Sequence, residues 1–174
     1  MKNADRLVYL TLALLLAAVA VFAYLNMGDA ELRRALEENR EFRVMVDGVL
    51  LATISLQTLV DLDPKEFTTT YATSVSAARE TTLRGVELRV ILELLNIDIS
   101  NASRILISGL DSYYSPISVA EARKEDTVYI CFSMDGEIMK PRSEGGVGPF
   151  MMVIRGSIFA QRWCKYVEAV DVIS

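Results

Sequence analysis

The sequence predicts an α+β fold made mostly of short β-strands with three small helices, preceded by one transmembrane helix. Three observations lead to this prediction. An uncharged apolar run lies near the N-terminus. Beyond residue 41, short segments of alternating or β-branched residues are separated by turn residues. Three stretches carry helix caps or apolar residues at i, i+3, i+4 spacing.

The anchor is the run from Leu7 to Met27, which holds 21 residues without a charge or a proline. At about 1.5 Å per residue it would be about 30 Å long, the thickness of a hydrocarbon core. A cleavable signal peptide is the alternative, but its apolar region is shorter and ends in a small-x-small site, which residues 22–25 do not provide. We therefore predict a tail of residues 1–6, a transmembrane anchor of residues 7–27, a helical stalk of residues 28–41 and a folded domain of residues 42–174.

Two groups of basic residues bear on the side of the membrane. Lys2 and Arg6 precede the anchor and favour a cytoplasmic N-terminus, whereas four arginines follow it, at positions 33, 34, 40 and 43. A short tail before an apolar anchor usually leaves the C-terminal domain outside the cytoplasm. We expect a single-pass protein of the cell membrane with an extracytoplasmic domain. The stalk is either a solvated spacer or a surface for a membrane protein partner.

The elements of the domain are predicted in chain order. Asp47-Gly48 lies between two alternating segments and predicts a hairpin over 42–53. Ser55 and Ser118 are N-cap candidates for short helices that end at Leu62 and Arg123. The other predicted elements are a helix over 86–95 and strands over 67–75, 103–108, 127–133, 150–155 and 162–173.

Composition excludes several function classes. The net charge is −5, with 23 acidic and 18 basic residues, so the basic footprint of a nucleic-acid-binding protein is absent. The chain has no histidine, which excludes a Ser-His-Asp triad, a Cys-His dyad and a histidine-ligated metal within this chain. Its two cysteines, Cys131 and Cys164, form no CxxC pair. They are expected to be buried strand residues, with a single disulfide as the alternative.

Three further patterns favour structural readings over binding sites. The glycines at 145, 146 and 148 match no phosphate-loop motif and predict a plain loop. The acidic residues at 61, 63 and 66 lack calcium-loop spacing and predict a solvated turn. Met151 and Met152 are consecutive, so on a strand they would point to opposite faces and fill the core.

Six short segments follow one another in a recognisable order: Val46–Val49, Leu83–Leu92, Gly109–Tyr113, Val128–Met139, Gly146–Phe150 and Arg162–Val167. Together they resemble the motifs of the oxidoreductase molybdopterin-binding domain family, the fold of sulfite oxidase and assimilatory nitrate reductase. The resemblance covers roughly residues 42–173. It implies that the predicted α+β domain has the sulfite-oxidase-like molybdopterin-binding fold.

The same resemblance implies where a site would lie. In the enzymes of this family a cysteine thiolate binds molybdenum at the end of the strand before the second motif. That place falls at about Tyr71 or Ala72, and neither side chain replaces a soft thiolate. Arg162 and Lys165 match positions that face the pterin and its phosphate in the family. Further pocket candidates from the matching segments are Asp111, Tyr113 and Arg84.

We therefore expect a membrane-anchored, non-catalytic binding or interaction module, such as an accessory subunit of a membrane complex. We expect no metal site and no cofactor, with molybdopterin as the alternative cofactor. Two alternative functions remain open. One is a divergent molybdopterin-dependent oxidoreductase, and the other is an extracytoplasmic sensor that binds a small anion through Arg162 and Lys165.

Overall fold

A computed structural model of the chain describes residues 2–73, 76–157 and 160–174. The chain divides into two compact units, residues 1–35 and 36–174. The first unit is helical. Helix α1 spans Lys2–Asn39, and its part from Val8 onward is long and apolar enough to cross a membrane. Its side chains between Val8 and Tyr24 are exposed, as at Leu14.

The second unit contains two five-stranded sheets. The first sheet has the order β2-β1-β10-β5-β6, in which β1 and β10 are parallel and the other neighbours are antiparallel. Its strands are β1 (Glu41–Val46), β2 (Val49–Ser55), β5 (Arg104–Gly109), β6 (Tyr114–Ile117) and β10 (Val167–Ile173).

The second sheet has the order β3-β4-β7-β8, with β9 paired to β7. Its strands are β3 (Lys65–Thr73), β4 (Ser76–Glu87), β7 (Val128–Met134), β8 (Glu137–Ile138) and β9 (Met151–Ile154). Three short helices complete the unit: α2 (Leu56–Asp61), α3 (Leu88–Leu94) and α4 (Val119–Arg123).

The core contains the inward residues of both sheets. In β5 and β6 inward residues such as Ile105, Ile107 and Ile117 are fully buried, while their neighbours in sequence are half-buried or exposed. Strand β7 is buried along nearly its whole length because it has β4 on one side and β8 or β9 on the other. Burial on this scale, at about 25 cal/mol per Å² of apolar surface, provides the main driving force for folding.

The predicted α+β fold is confirmed, and so are its local signals. Asp47 and Gly48 adopt positive φ angles of 49° and 76°, as a hairpin turn of this type requires. The Ser55 hydroxyl accepts the Thr58 N–H, and Ser118 forms a complete capping box with Glu121. The predicted division of the chain at residues 6, 27 and 41 stays a prediction.

Two predictions about single elements are wrong, and one strand was not predicted. Residues 76–87 form the long strand β4, so Val86 belongs to a strand and the following helix begins at Leu88. Strand β6 was not predicted, because its four residues include a proline. Arg162 lies in a short 3₁₀ helix, Ala160–Arg162, and β10 begins only at Val167. The predicted end of the third strand, residues 74–75, lies outside the described residues.

Candidate functional site

Tyr71, one of the two positions where the family resemblance puts a metal-binding thiolate, belongs to a buried aromatic pair. Tyr71, on β3, stacks on Trp163 with ring centroids 5.8 Å apart and an angle of 17° between the planes. The Lys165 ammonium lies 5.7 Å from the centre of the Tyr71 ring. Tyr71 and Trp163 are only 8% and 6% exposed, so the two rings fill this position. The alternative position, Ala72, belongs to β3, but its side chain lies outside the described residues.

Trp163 and Lys165 are held by the backbone between the 3₁₀ helix and β10. Met152 and Cys164 exchange two backbone hydrogen bonds, of 2.7 and 3.1 Å. Tyr166 has a positive φ of 54°, and its carbonyl accepts the Leu110 N–H at 2.9 Å. These bonds fix the segment between two buried elements. The indole nitrogen of Trp163 is buried and has no hydrogen-bond partner among the described residues.

Asp111 supports the adjacent turn. Its carboxylate accepts the Tyr113 N–H at 3.2 Å. A Cβ on Gly109 would lie 2.5 Å from the Lys165 carbonyl oxygen and 2.7 Å from an Asp111 carboxylate oxygen, so this position requires glycine. The turn therefore packs directly against the segment that carries Lys165.

Arg162 is engaged by a carboxylate instead of being available to a ligand. Its guanidinium donates to both carboxylate oxygens of Glu121, at 2.7 and 3.1 Å, and to the Pro116 carbonyl at 3.1 Å. These hydrogen bonds from Arg162, together with those from Ser118, outweigh the effect of burial and lower the pKa of Glu121 to about 2.

The other two pocket candidates differ in position, because Tyr113 belongs to the Asp111 turn and Arg84 lies on β4. Tyr113 is exposed, and its hydroxyl donates to the Gln161 carbonyl at 2.5 Å. Arg84 is exposed on β4, where its neighbours across the sheet are Glu66 and Ser133. The roles suggested for Arg162, Lys165, Asp111, Tyr113 and Arg84 stay predictions.

Arg142 is a candidate that the sequence reasoning missed. Its guanidinium carbon lies 5.7 Å from the centre of the Tyr166 ring. Tyr166 is the residue that follows Lys165 in sequence. Neither Arg142 nor Lys165 forms an ion pair with a carboxylate in the part of the chain that the structure describes. The local sequence around Arg142 does not indicate this contact, because its partner Tyr166, which has a positive φ angle, is distant in sequence.

The glycine loop has a structural explanation. A Cβ on Gly146 would lie 2.0 Å from the Lys140 carbonyl oxygen, so the close approach of two backbone segments requires this glycine. An open pocket of about 390 Å³ lies beside this loop and the β7–β8 hairpin, and its lining includes Arg79, Asp135 and Lys140. Arg79 and Asp135 form an ion pair at 2.9 Å within that lining.

Both thiols are structural. Cys131 and Cys164 are free and fully buried, so the alternative of a disulfide is wrong. Burial raises the pKa of Cys131 above its ordinary value. Burial, with smaller contributions from Asp111 and Glu168, raises the pKa of Cys164 to about 12. Neither is a thiolate at neutral pH.

The comparisons with known proteins define the class of this domain as molybdopterin-binding and of the oxidoreductase type. The family described as the oxidoreductase molybdopterin binding domain matches residues 33–174, and the chain belongs to this family. Among solved structures it is similar to the sulfane dehydrogenase SoxCD from Paracoccus pantotrophus, with a TM-score of 0.60 and 16% identity. The similarity covers 76% of this chain and 38% of that one. No curated protein matches the chain.

The expectation of no cofactor is therefore wrong, because membership of this family implies molybdopterin. The described residues suit the phosphate of that cofactor but not its metal. Lys165 and Arg142 pair with no carboxylate among the described residues, which suits an anionic phosphate. The donors do not fit the metal, because Tyr71 is a buried phenol and both thiols are protonated within the core.

Proposed function

We propose that this protein is a membrane-tethered, non-catalytic binding module of the molybdopterin-binding family. It acts as an accessory subunit of a membrane complex, and its folded domain faces the outside of the cytoplasm. Helix α1 supports the tether, since its part from Val8 onward is long and apolar enough to span a bilayer and its side chains between Val8 and Tyr24 are exposed.

One observation carries the non-catalytic part of the proposal. The family resemblance puts the metal-binding thiolate at about Tyr71 or Ala72, and Tyr71 is stacked on Trp163 with Lys165 over its ring. A phenol oxygen is a hard donor and does not substitute for a soft thiolate at molybdenum. The two cysteines cannot move into that role without breaking the core around them.

Binding is assigned to the cations that remain available. The Lys165 ammonium lies over the Tyr71 ring and the Arg142 guanidinium lies over the Tyr166 ring, which follows Lys165 in sequence. Charge-assisted hydrogen bonds from such groups suit a phosphate-bearing pterin. Arg162 contributes by fixing the 3₁₀ helix to α4 through Glu121.

The test uses the full chain, produced in a host with an active molybdopterin pathway and purified in detergent. The measurements are pterin released by acid, quantified by fluorescence, and retention of the chain in membranes after alkaline extraction. We expect bound pterin, membrane retention and no reduction of an artificial electron acceptor. The variant Lys165→Glu/Arg142→Glu should bind at least about ten-fold less pterin.

Lys124→Glu is the matched control, because Lys124 is an exposed lysine at the end of α4. It should retain pterin at the level of the unchanged protein. Equal pterin in the double variant would overturn the assignment of the binding residues. Acceptor reduction that scales with bound pterin would overturn the non-catalytic role.

A further inference from the structure

The outer face of the first sheet is uncovered along part of its width. Partners across a sheet point to the same side, so the register places Leu50, Met45, Asp171 and Leu106 in one row on this face. The opposite face of the same strands forms the core. The outer row is half-buried or exposed in the folded unit, with Leu50 55% exposed.

Four residues on β5 and β10 form the centre of this surface. Asp171 pairs with Leu106, and Ile173 pairs with Arg104, so the four mark the corners of one rectangle on the outer face. Two corners on one diagonal are apolar. On the other diagonal, the acid and the base lie about 7–8 Å apart. We call this rectangle, with Met45 and Leu50 beside it, the outer patch.

The charged corners lack partners of opposite charge. Arg104 is exposed and forms no ion pair among the described residues. The Asp171 carboxylate accepts the Gly48 N–H at 3.1 Å, which steadies the hairpin turn but does not neutralise its charge. Among the described residues, the outer patch therefore presents a cation and an anion that form no ion pair, beside apolar groups.

We infer that the outer patch binds a second copy of this chain, face to face, about a two-fold axis. An isologous interface requires a self-complementary surface. If the axis runs along the apolar diagonal, Leu106 and Ile173 each meet their own symmetry mate. Arg104 of each copy then meets Asp171 of the other copy, which gives two symmetric ion pairs. With strand and residue spacings of about 4.8 and 3.4 Å, the strands of the two sheets cross at about 70°, near the orthogonal class of sheet packing.

A second copy fits this surface better than the other occupants. A bilayer would bury Asp171 and Arg104 without partners, which is costly. A partner surface that carries only acidic or only basic groups would pair with Arg104 or with Asp171, but not with both. Only a surface with the same pair in the reverse order satisfies both, and another copy of this chain has it.

The experiment compares four forms of the full chain in detergent or lipid nanodiscs by sedimentation. The unchanged protein should be dimeric. The single variants Arg104→Asp and Asp171→Arg should each raise the dissociation constant at least about ten-fold, because each leaves like charges opposed at two symmetric places. The double variant Arg104→Asp/Asp171→Arg restores both contacts and should return to within about three-fold of the unchanged protein. Melting curves check that each variant is folded.

A cross-link locates the interface. Leu106→Cys should form a disulfide-linked dimer under mild oxidation, because Leu106 meets its own copy near the axis, and the two native thiols are buried and do not compete. Val60→Cys, 38% exposed on α2, is the control and should stay uncross-linked. A monomer, a dimer indifferent to the charge variants, or a Leu106→Cys cross-link to a protein of different mass would each overturn the inference.

Discussion

The Glu121–Arg162 ion pair makes a quantitative prediction about stability and pH. The pKa of Glu121 falls from 4.5 to about 2, chiefly through its hydrogen bonds from Arg162. A lowering of this size corresponds to about 3 kcal/mol of stability. The side chains of Glu121 and Arg162 are 29% and 44% exposed, so solvent screening reduces the expected contribution to about 1–2 kcal/mol.

The sign follows from the lowered pKa. A carboxyl whose pKa is lower in the folded state stabilises the protein above its unfolded pKa of 4.5, and this contribution is lost as the pH falls towards about 2. Glu121→Gln should therefore lower the free energy of unfolding by about 1–2 kcal/mol at pH 7. The difference between variant and unchanged protein should shrink as the pH falls and vanish near pH 2.

The assay is urea unfolding of the full chain in detergent, followed by fluorescence of Trp163, the single tryptophan, which adjoins Arg162. Glu93→Gln is the matched control, because the Glu93 side chain is 69% exposed and lies 3.7 Å from Arg89. It should change stability by less than about 0.5 kcal/mol. A Glu121→Gln cost that is the same at pH 7 and near pH 2 would refute the reasoning.

Three other perturbations test the candidate site. Tyr71→Ala removes a buried ring from Trp163 and should cost about 3 kcal/mol in urea unfolding, with a red shift of tryptophan emission, while Tyr71→Phe should keep both near their original values. Gly109→Ala places a Cβ 2.5 Å from the Lys165 carbonyl oxygen and should lower the melting temperature by several degrees. Gly28→Ala, which meets nothing within 4 Å, should not lower it. Both cysteines should resist alkylation at pH 8 in the folded protein and react in urea, and rapid labelling of the folded protein would contradict their burial.

Turns and helix starts could be predicted from the sequence, because they depend on residues that are close together in the chain. Asp47-Gly48 set the hairpin, and Ser55 and Ser118 set the helix starts, because a turn or a cap depends on residues within three positions. Strand β4 was missed because its first half is small or polar. It is held as a strand by ladders to β3 and β7.

The site was less predictable because its contacts are between residues distant in sequence. Arg162 was expected to face a ligand, but its partner Glu121 is 41 positions away and is brought close by the return of β6 into α4. The stack of Tyr71 on Trp163 and the approach of Arg142 to Tyr166 likewise join segments that no local pattern relates. Only the family resemblance directed attention to Tyr71 and Lys165.

The proposed function is binding without oxidation or reduction, because neither Tyr71 nor Ala72, where the family resemblance puts the metal-binding thiolate, carries a thiol. The most direct test is the turnover of purified full chain that carries a measured amount of molybdopterin, with sulfite as the reductant and an artificial electron acceptor. The account predicts no acceptor reduction above that of protein without the cofactor. Turnover that rises in proportion to the bound cofactor would contradict it.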